Sequence, residues 1–267
     1  MTSIDELEEA LQRLHLGRHV VVHASLRRLG PVLGGAEAVL DLLARTFETV
    51  MMPAFDFQSN APPPPGDRPV RNGTDYSFYE GWSAPLVPFC LDRAGVDPKM
   101  GVLGQRFAAR PGVARSAHPW HSWAAAGPLA GDLVASHEWE KPHLPLERLM
   151  RRSAHVLLLG VGLASCTALH VSEERAGRRP FVRWATDADG RVRRMRVAGC
   201  AKGFDALAPL VEGVLTRVSL GGCVLTAAPL DALVARGAAA MQAEPGRTVC
   251  SAGCVRCRDA VAGGPEG

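Results

Sequence analysis

No hydrophobic run in this chain approaches the ~20 consecutive apolar residues that a spanning helix needs, which argues against a helical membrane protein. Neither sign of charge dominates: 30 lysines and arginines against 27 acidic residues leave a formal charge of +3. Aromatic residues make up only 6% of the chain, with just 2 tyrosines. The densest basic run, Arg191, Arg193, Arg194 and Arg196, has no aromatics interleaved and lies beside Asp187 and Asp189. It reads as a turn and a strand bearing exposed arginines, not as a nucleic-acid surface. The 7 cysteines are an odd number, which speaks for reduced thiols and against a disulfide framework. A secretory or transit signature is also lacking, because the first residues, Met1 to Glu9, are acidic and amphipathic; a cytoplasmic location is expected.

A length of 267 residues, 47% of them hydrophobic, is enough to build a sizeable core in one domain. We read 1–245 as that domain and 246–267 as a cysteine-containing tail. Apolar residues recur at helical spacing from Ile4 to Leu14, His19 to His23 reads as a strand, and Gly34-Gly35 opens a second helix. Val50 to Pro53 is a second strand, and this order predicts a parallel pair joined by a helical crossover. From Phe55 to Trp82 prolines, glycines and aspartates predict a surface loop, with Asn72-Gly73-Thr74 as a turn in it. A helix is predicted from Leu86 to Ala94, with Pro85 and Pro88 at its first turn. The segment from Val192 alternates as a strand, Phe204 to Leu215 predicts a helix, Gly222 to Thr226 a last strand, and Ala228 to Met241 a last helix.

The clearest chemical signal is the apolar stretch from Val156 to Gly162 with the helix-compatible segment Ala164 to Glu174 behind it. A buried strand ending in glycines and followed by a helix is where α/β enzymes place chemistry, and here His170 and Glu173 share one helical face. An imidazole held in one tautomer by a carboxylate is a competent base near neutral pH. A second cluster is His118-Pro119-Trp120-His121, in which the proline predicts an extended backbone and rings that point in different directions. Cys250, Cys254 and Cys257 offer most of a tetrahedral zinc site, with Cys200, Cys223 or a histidine as the fourth ligand. The alternative for these residues is a frayed tail with incidental thiols.

Several blocks occur in order along the chain: Val22-His23-Ala24-Ser25-Leu26-Arg27 with Gly34 to Glu37; Met52-Pro53-Ala54-Phe55; Arg115-Ser116-Ala117-His118-Pro119-Trp120-His121-Ser122; and Val156 to Gly162 leading through Thr167 to His170 and Glu173. Together they resemble the aminoglycoside 3-N-acetyltransferase family, also called the antibiotic N-acetyltransferase family, from Val20 to about Ala185. The resemblance implies an α/β fold, a three-layer α/β/α sandwich with a mixed, largely parallel central sheet. It implies acetyl transfer from acetyl-CoA to an amine of an aminoglycoside or related compound, with antibiotic resistance as the role. His170 would be the general base and Glu173 its orienting partner, stabilising the imidazolium as the proton arrives.

By the same resemblance Ser25, Leu26, Arg27, Val102, Leu103, Arg115 and Ser116 would bind the cofactor, the two arginines at its phosphates. Asp56, Asp75, His118 and His121 would meet the substrate, and Asp67, Glu80, Glu138 and Glu140 are further acidic candidates around a polycationic acceptor. The sequence departs from the family after His137, where Pro142-His143-Leu144-Pro145 replaces a longer stretch that carries a glycine and a serine, and at Cys166, where the family has asparagine. An acyl-enzyme route through Cys166 is therefore the enzymatic alternative, and a catalytically silent zinc-containing binding protein the non-enzymatic one. A monomer or homodimer with no nucleic-acid or membrane partner is expected.

Overall fold

The computed structural model describes residues 1–266. Its elements in chain order are α1 (Ile4–Gln12), β1 (His19–Ala24), α2 (Leu26–Leu29), α3 (Gly35–Thr46), β2 (Thr49–Pro53), β3 (Asn60–Ala61), α4 (Gly101–Ala108), β4 (Ala114–Arg115), β5 (Trp123–Ala126) and α5 (Ala130–Ala135). They continue as α6 (Leu144–Met150), β6 (His155–Leu159), α7 (Ala168–Arg175), β7 (Phe181–Thr186), β8 (Val192–Val197), α8 (Ala208–Val211), β9 (Thr216–Leu220), β10 (Cys223–Pro229), α9 (Leu230–Ala243) and α10 (Val255–Val261). Short 3-10 turns fill several of the connections, and no helix among the described residues is long and apolar enough to cross a membrane.

A mixed 7-stranded sheet in the order β4-β5-β2-β1-β6-β10-β9 forms the middle layer. Its parallel ladders are the central ones, β1 with β2 and β1 with β6, and the strands outside this trio run antiparallel. The predicted parallel pair is thus present, with Val20 opposite Val50 in register. Strand residues alternate between two cores, as period-2 side chains must. Val20, Val22, Val50, Met52, Leu157 and Leu159 face α1, α3 and α4, whereas Val21, Met51, Val156 and Leu158 face α5, α6, α7 and α9. Because both faces are covered, the central strands read as continuous apolar runs.

A second, 3-stranded antiparallel sheet, β3-β7-β8, goes beyond the one strand that the alternation from Val192 predicts, now β8. It changes the account of the Phe55–Trp82 segment. That segment is irregular, but it is pinned to the body: Asn72 Nδ2 donates to the Val182 carbonyl at 3.0 Å while the Val182 N–H donates to Asn72 Oδ1 at 2.7 Å. The Asn72-Gly73-Thr74 turn is therefore a buried clamp, not a free surface turn.

One helix expectation fails and a second is met only in short pieces. Residues 86–94 hold only a 3-10 turn, Leu91–Arg93, because Pro85 and Pro88 each remove a donor and Pro88 forces Val87 out of the helical region. The predicted Phe204–Leu215 helix is broken into 3-10 and α pieces around Pro209, with Gly213 in the last of them. The cysteine tail, in turn, does not fray. Residues 255–261 form α10, whose Asp259 is buried and accepts the Gly73 N–H at 2.9 Å.

Candidate active site

Helix α7 follows β6 through Gly160 and a 3-10 turn, as the sequence predicts, but it is buried on every side: Ala168 to Glu173 are all inside. A helix with this burial must have its polar side chains satisfied internally. Ser172 Oγ donates to the Val234 carbonyl of α9 at 3.0 Å. Gly237 of α9 permits that contact, since a Cβ there would lie 2.7 Å from Ser172 Oγ. The remaining polar pair is His170 and Glu173. Nδ1 of His170 lies 2.6 Å from Glu173 Oε2, and Arg178 Nη1 donates to Glu173 Oε1 at 2.8 Å. A carboxylate at Nδ1 keeps the proton there and leaves Nε2 as the acceptor. Arg178 is itself held by Thr248 Oγ1 at 2.9 Å and the Pro245 carbonyl at 2.8 Å.

Burial pushes the Glu173 carboxyl up, but the hydrogen bond from His170 and the charges of His170 and Arg178 outweigh it and hold the group below the usual carboxylate value. Glu173 is therefore an anion at neutral pH, which an orienting carboxylate has to be. His170, Glu173, His143 and Arg178 line a narrow cleft, with about 10 Å3 of free space, that also touches Pro180 and Gly199.

Four further histidines stack in a row that ends on His170. Ring centroids are 4.7 Å apart for His137 and His118, 5.7 Å for His118 and His121, 6.3 Å for His121 and His143, and 5.8 Å for His143 and His170. This corrects the expectation that His118 and His121 diverge. Pro119 does keep residue 118 out of the helical region, but the turn after it brings the N–H of His121 onto His118 Nδ1 at 3.0 Å, and the rings stack at an interplanar angle of 20°. His143 pairs through Nδ1 with Glu174 Oε1 and makes a second imidazole–carboxylate couple beside the first. Its buried Nε2 has no hydrogen-bond partner among the described residues.

The other expected site residues separate into two groups. Ser25 caps the short α2, Leu26 is half-buried and Arg27 is exposed, and α4 starts beside them: a Cβ on Gly101 would lie 3.6 Å from the Ala24 carbonyl. Val102 next to it is 38% exposed while Leu103 is core. Ser25, Leu26, Arg27 and Val102 form one adjoining surface, and Leu103 is buried away from it. Arg115 and Ser116 are both engaged by the protein itself. The Arg115 guanidinium donates to the carbonyls of Ala54, Ala94 and Gly95 at 2.6 to 2.7 Å and to Ser122 Oγ, so its fork is occupied by the protein. Ser116 is buried, bonded to His137 Nδ1 at 2.8 Å, and accepts the Trp123 N–H. Asp56 is likewise buried and accepts the Gln58 N–H, and Asp75 is an exposed cap of a 3-10 turn at Ser77. Neither carboxylate lines the His170 cleft.

Sequence reasoning missed Arg178, Glu174 and the packing of His143 on His170. Glu174 was readable as the neighbour of Glu173, whereas nothing local marks Arg178. It reaches Glu173 because Gly177, at φ +88°, turns the chain back after α7. The cysteines, by contrast, converge: the sulfurs of Cys200, Cys250, Cys254 and Cys257 all lie within 4.8 Å of one another. Cys223 sits apart on β10, and Cys166 is fully buried in the core, its thiol pushed up to about 12 by burial.

Residues 21–242 match the aminoglycoside 3-N-acetyltransferase family. The chain belongs to that family. Aminoglycoside N(3)-acetyltransferase III of Salmonella sp is 37% identical over 188 residues, which cover 67% of this chain and 63% of that relative. The alignment thus spans less than two thirds of the relative's length. Among solved structures, a variant of aminoglycoside acetyltransferase AAC(3)-IVa in complex with a gentamicin superposes with a TM-score of 0.77 at 25% identity, over 98% of this chain and 97% of that one. The binary complex of AAC-IIIb with CoASH gives 0.71 at 24% identity, over 90% and 96%. The family resemblance in the sequence and the α/β fold it implied therefore both hold.

The buried imidazoles predict an acid-labile fold for this family member. Burial pushes His23, His118 and His137 down to about 4, 3 and 2 from an ordinary 6.5. Unfolded, each would take a proton as the pH falls through about 6.5, while the folded chain would not. Their contribution is complete above that pH and is lost on acidification at about 1.4 kcal/mol per pH unit for each group. The melting temperature is expected to be flat above about pH 7 and to fall steeply from about pH 6.5 to pH 4. Differential scanning calorimetry across that range checks it, and an unchanged melting temperature at the acid end would contradict neutral burial of these rings.

Proposed function

We propose that this chain transfers an acetyl group from acetyl-CoA to an amine of an aminoglycoside or a related amino compound, by direct attack in a ternary complex. The observation that carries this reading is the buried His170–Glu173–Arg178 relay at the edge of a cleft. An amine is largely protonated at neutral pH and attacks a thioester only after losing a proton. Nε2 of His170 takes that proton, Glu173 stabilises the imidazolium across the Nδ1 bond, and Arg178 keeps Glu173 ionised and aimed. Arg178 and Glu173 do not touch the reacting atoms; they position the base.

The adjoining surface of Ser25, Leu26, Arg27 and Val102 is the proposed seat of acetyl-CoA, with Arg27 toward a phosphate. Arg27 makes no ion pair among the described residues, so its donors are available. That a related fold is solved with CoASH supports acetyl-CoA as the acetyl donor. His143, whose Nε2 lacks a partner, is proposed to orient the acceptor amine beside His170. The free space in the cleft, about 10 Å3, is far below the roughly 300–1,000 Å3 of ordinary ligand sites, so the segments around it must part as the substrates enter. The acyl-cysteine alternative is not favoured, because the Cys166 thiol is enclosed and its thiolate disfavoured.

The test is thiol release from acetyl-CoA with a panel of aminoglycosides and simple primary amines. Release that depends on an aminoglycoside, with acetyl recovered on one of its amino groups, is expected. Equal rates with every simple amine, or acetyl trapped on Cys166 without an acceptor, would remove this reading.

A further inference from the structure

We propose that Cys200, Cys250, Cys254 and Cys257 hold a zinc ion in a tetrathiolate site, and that this site positions the Glu173 side of the catalytic pair. The second half rests on the proposed role of His170 and Glu173; the first does not.

The geometry of the sulfurs carries the metal. With a Zn–S bond of ~2.3 Å, a tetrahedron of four sulfurs has edges of ~3.8 Å. Cys200 and Cys250 are 3.7 Å apart, Cys250 and Cys257 are 3.6 Å apart, and no pair among the four exceeds 4.8 Å. A disulfide would require ~2.05 Å. The ligands come from two places 50 residues apart: the loop after β8, and the Cys-x3-Cys-x2-Cys run at the start of α10. In that run a turn closed by the Cys254 N–H on the Ser251 carbonyl folds Cys250 back over Cys254 and Cys257. An all-sulfur tetrahedral donor set selects zinc or iron among common metals, and in a closed site without a free position zinc is structural.

What such a site would tie together explains its place in the fold. Cys200 follows Gly199, where a Cβ would lie 3.4 Å from Glu173 Oε2. Gly203, on the same loop, packs so closely that a Cβ would meet the Thr248 carbonyl at 2.0 Å. Thr248 and Pro245 are the residues that hold Arg178, which in turn holds Glu173, and Cys250 is two residues beyond Thr248. One ion thus fastens both the loop that walls Glu173 and the segment that anchors its arginine. These segments have few ladder hydrogen bonds of their own, so the crosslink supplies the order that a sheet would otherwise give.

The full chain, purified under reducing conditions without chelator, is expected to carry ~1 zinc per chain by elemental analysis, with four thiols that react with a thiol reagent only after chelation. Exchange for Co2+ should give the visible ligand-field bands of a tetrahedral site and the near-ultraviolet thiolate charge-transfer band. Stripping zinc should lower kcat for acetyl transfer on the order of tenfold with a small change in KM, and restoring it should recover the rate. It should also move the low-field imidazole N–H resonance of His170 in a proton NMR spectrum, a signal that does not depend on any acceptor being found. The Cys254→Ser variant should lose zinc affinity, and if it fails to fold, the metal content and cobalt spectrum of the unaltered chain still decide. Metal-free protein with four reactive thiols, disulfides among these cysteines, or iron in place of zinc would overturn the site. Full zinc with an unchanged kcat, pH profile and His170 resonance after stripping would overturn the positioning role. Should no amine be acetylated at all, the zinc content and the cobalt spectrum still settle the metal site independently.

Discussion

His170→Ala should lower acetyl transfer by on the order of a hundredfold or more, the usual share of a positioned general base, while the protein remains folded. The loss should fall on kcat, because the ring acts as the proton leaves the amine and makes little contact with the bound ground state. It should shrink as the assay pH is raised toward the pKa of the acceptor amine, where a growing fraction of the acceptor arrives already deprotonated. The ring contacts Phe204 at a centroid distance of 4.8 Å and His143 at 5.8 Å, so alanine leaves a small gap in a site otherwise held by its neighbours. Steady-state kinetics with circular dichroism on the same samples make the check. Near-normal turnover in a folded variant would dismiss this base.

Arg178→Met should have the largest effect on stability of any change at the site, about 3–5 kcal/mol in denaturant unfolding near neutral pH. The guanidinium and the Glu173 carboxylate are both on residues only 6% exposed. Methionine fills the volume but leaves the carboxylate with His170 as its only side-chain partner among the described residues. Burial, which already pushes Glu173 up, then goes less opposed. The sign follows from the direction of the shift. A carboxyl held below its unfolded value stabilises the fold above that value and loses the contribution as the pH falls through the folded one. Without Arg178 the folded value rises, so the contribution shrinks at every pH and the acid limb of kcat moves upward. The double variant Arg178→Met with Glu173→Gln should be less destabilised than Arg178→Met alone, because no uncompensated charge remains. If the single variant unfolds like the unaltered chain, Arg178 has no such role.

The features behind these expectations differ in how far the chain displays them. The candidate base and its carboxylate are visible because they are 3 residues apart on one helix, where spacing sets proximity. The strand before them is visible as an apolar run with glycines at its end. The helix expected at 86–94 fails because apolar spacing cannot outweigh two prolines that forbid it. The bonding of Arg115 is hidden for a different reason. Its acceptors are carbonyls of residues 54, 94 and 95, which no pattern around position 115 announces, and an arginine next to a family block looks the same whether its fork meets phosphate or backbone.

The row of histidines shows the same limit. The pair at 118 and 121 stands out in the sequence, but their stacking and the arrival of His137 and His143 on either side come from the packing of separate segments.

Short-range chemistry along the chain settles which segments are helix or strand and which residues three or four apart share a face, because those relations depend on backbone geometry alone. It was enough for the family, the α/β layers and the His170–Glu173 couple. The anchoring of Glu173 by Arg178, the enclosure of the Cys166 thiol, the backbone carbonyls that meet Arg115, and the meeting of Cys200 with Cys250, Cys254 and Cys257 were settled by folding. Each joins or encloses groups far apart in the chain, and only the packed core decides which distant atoms come within bonding reach and which lose their access to water.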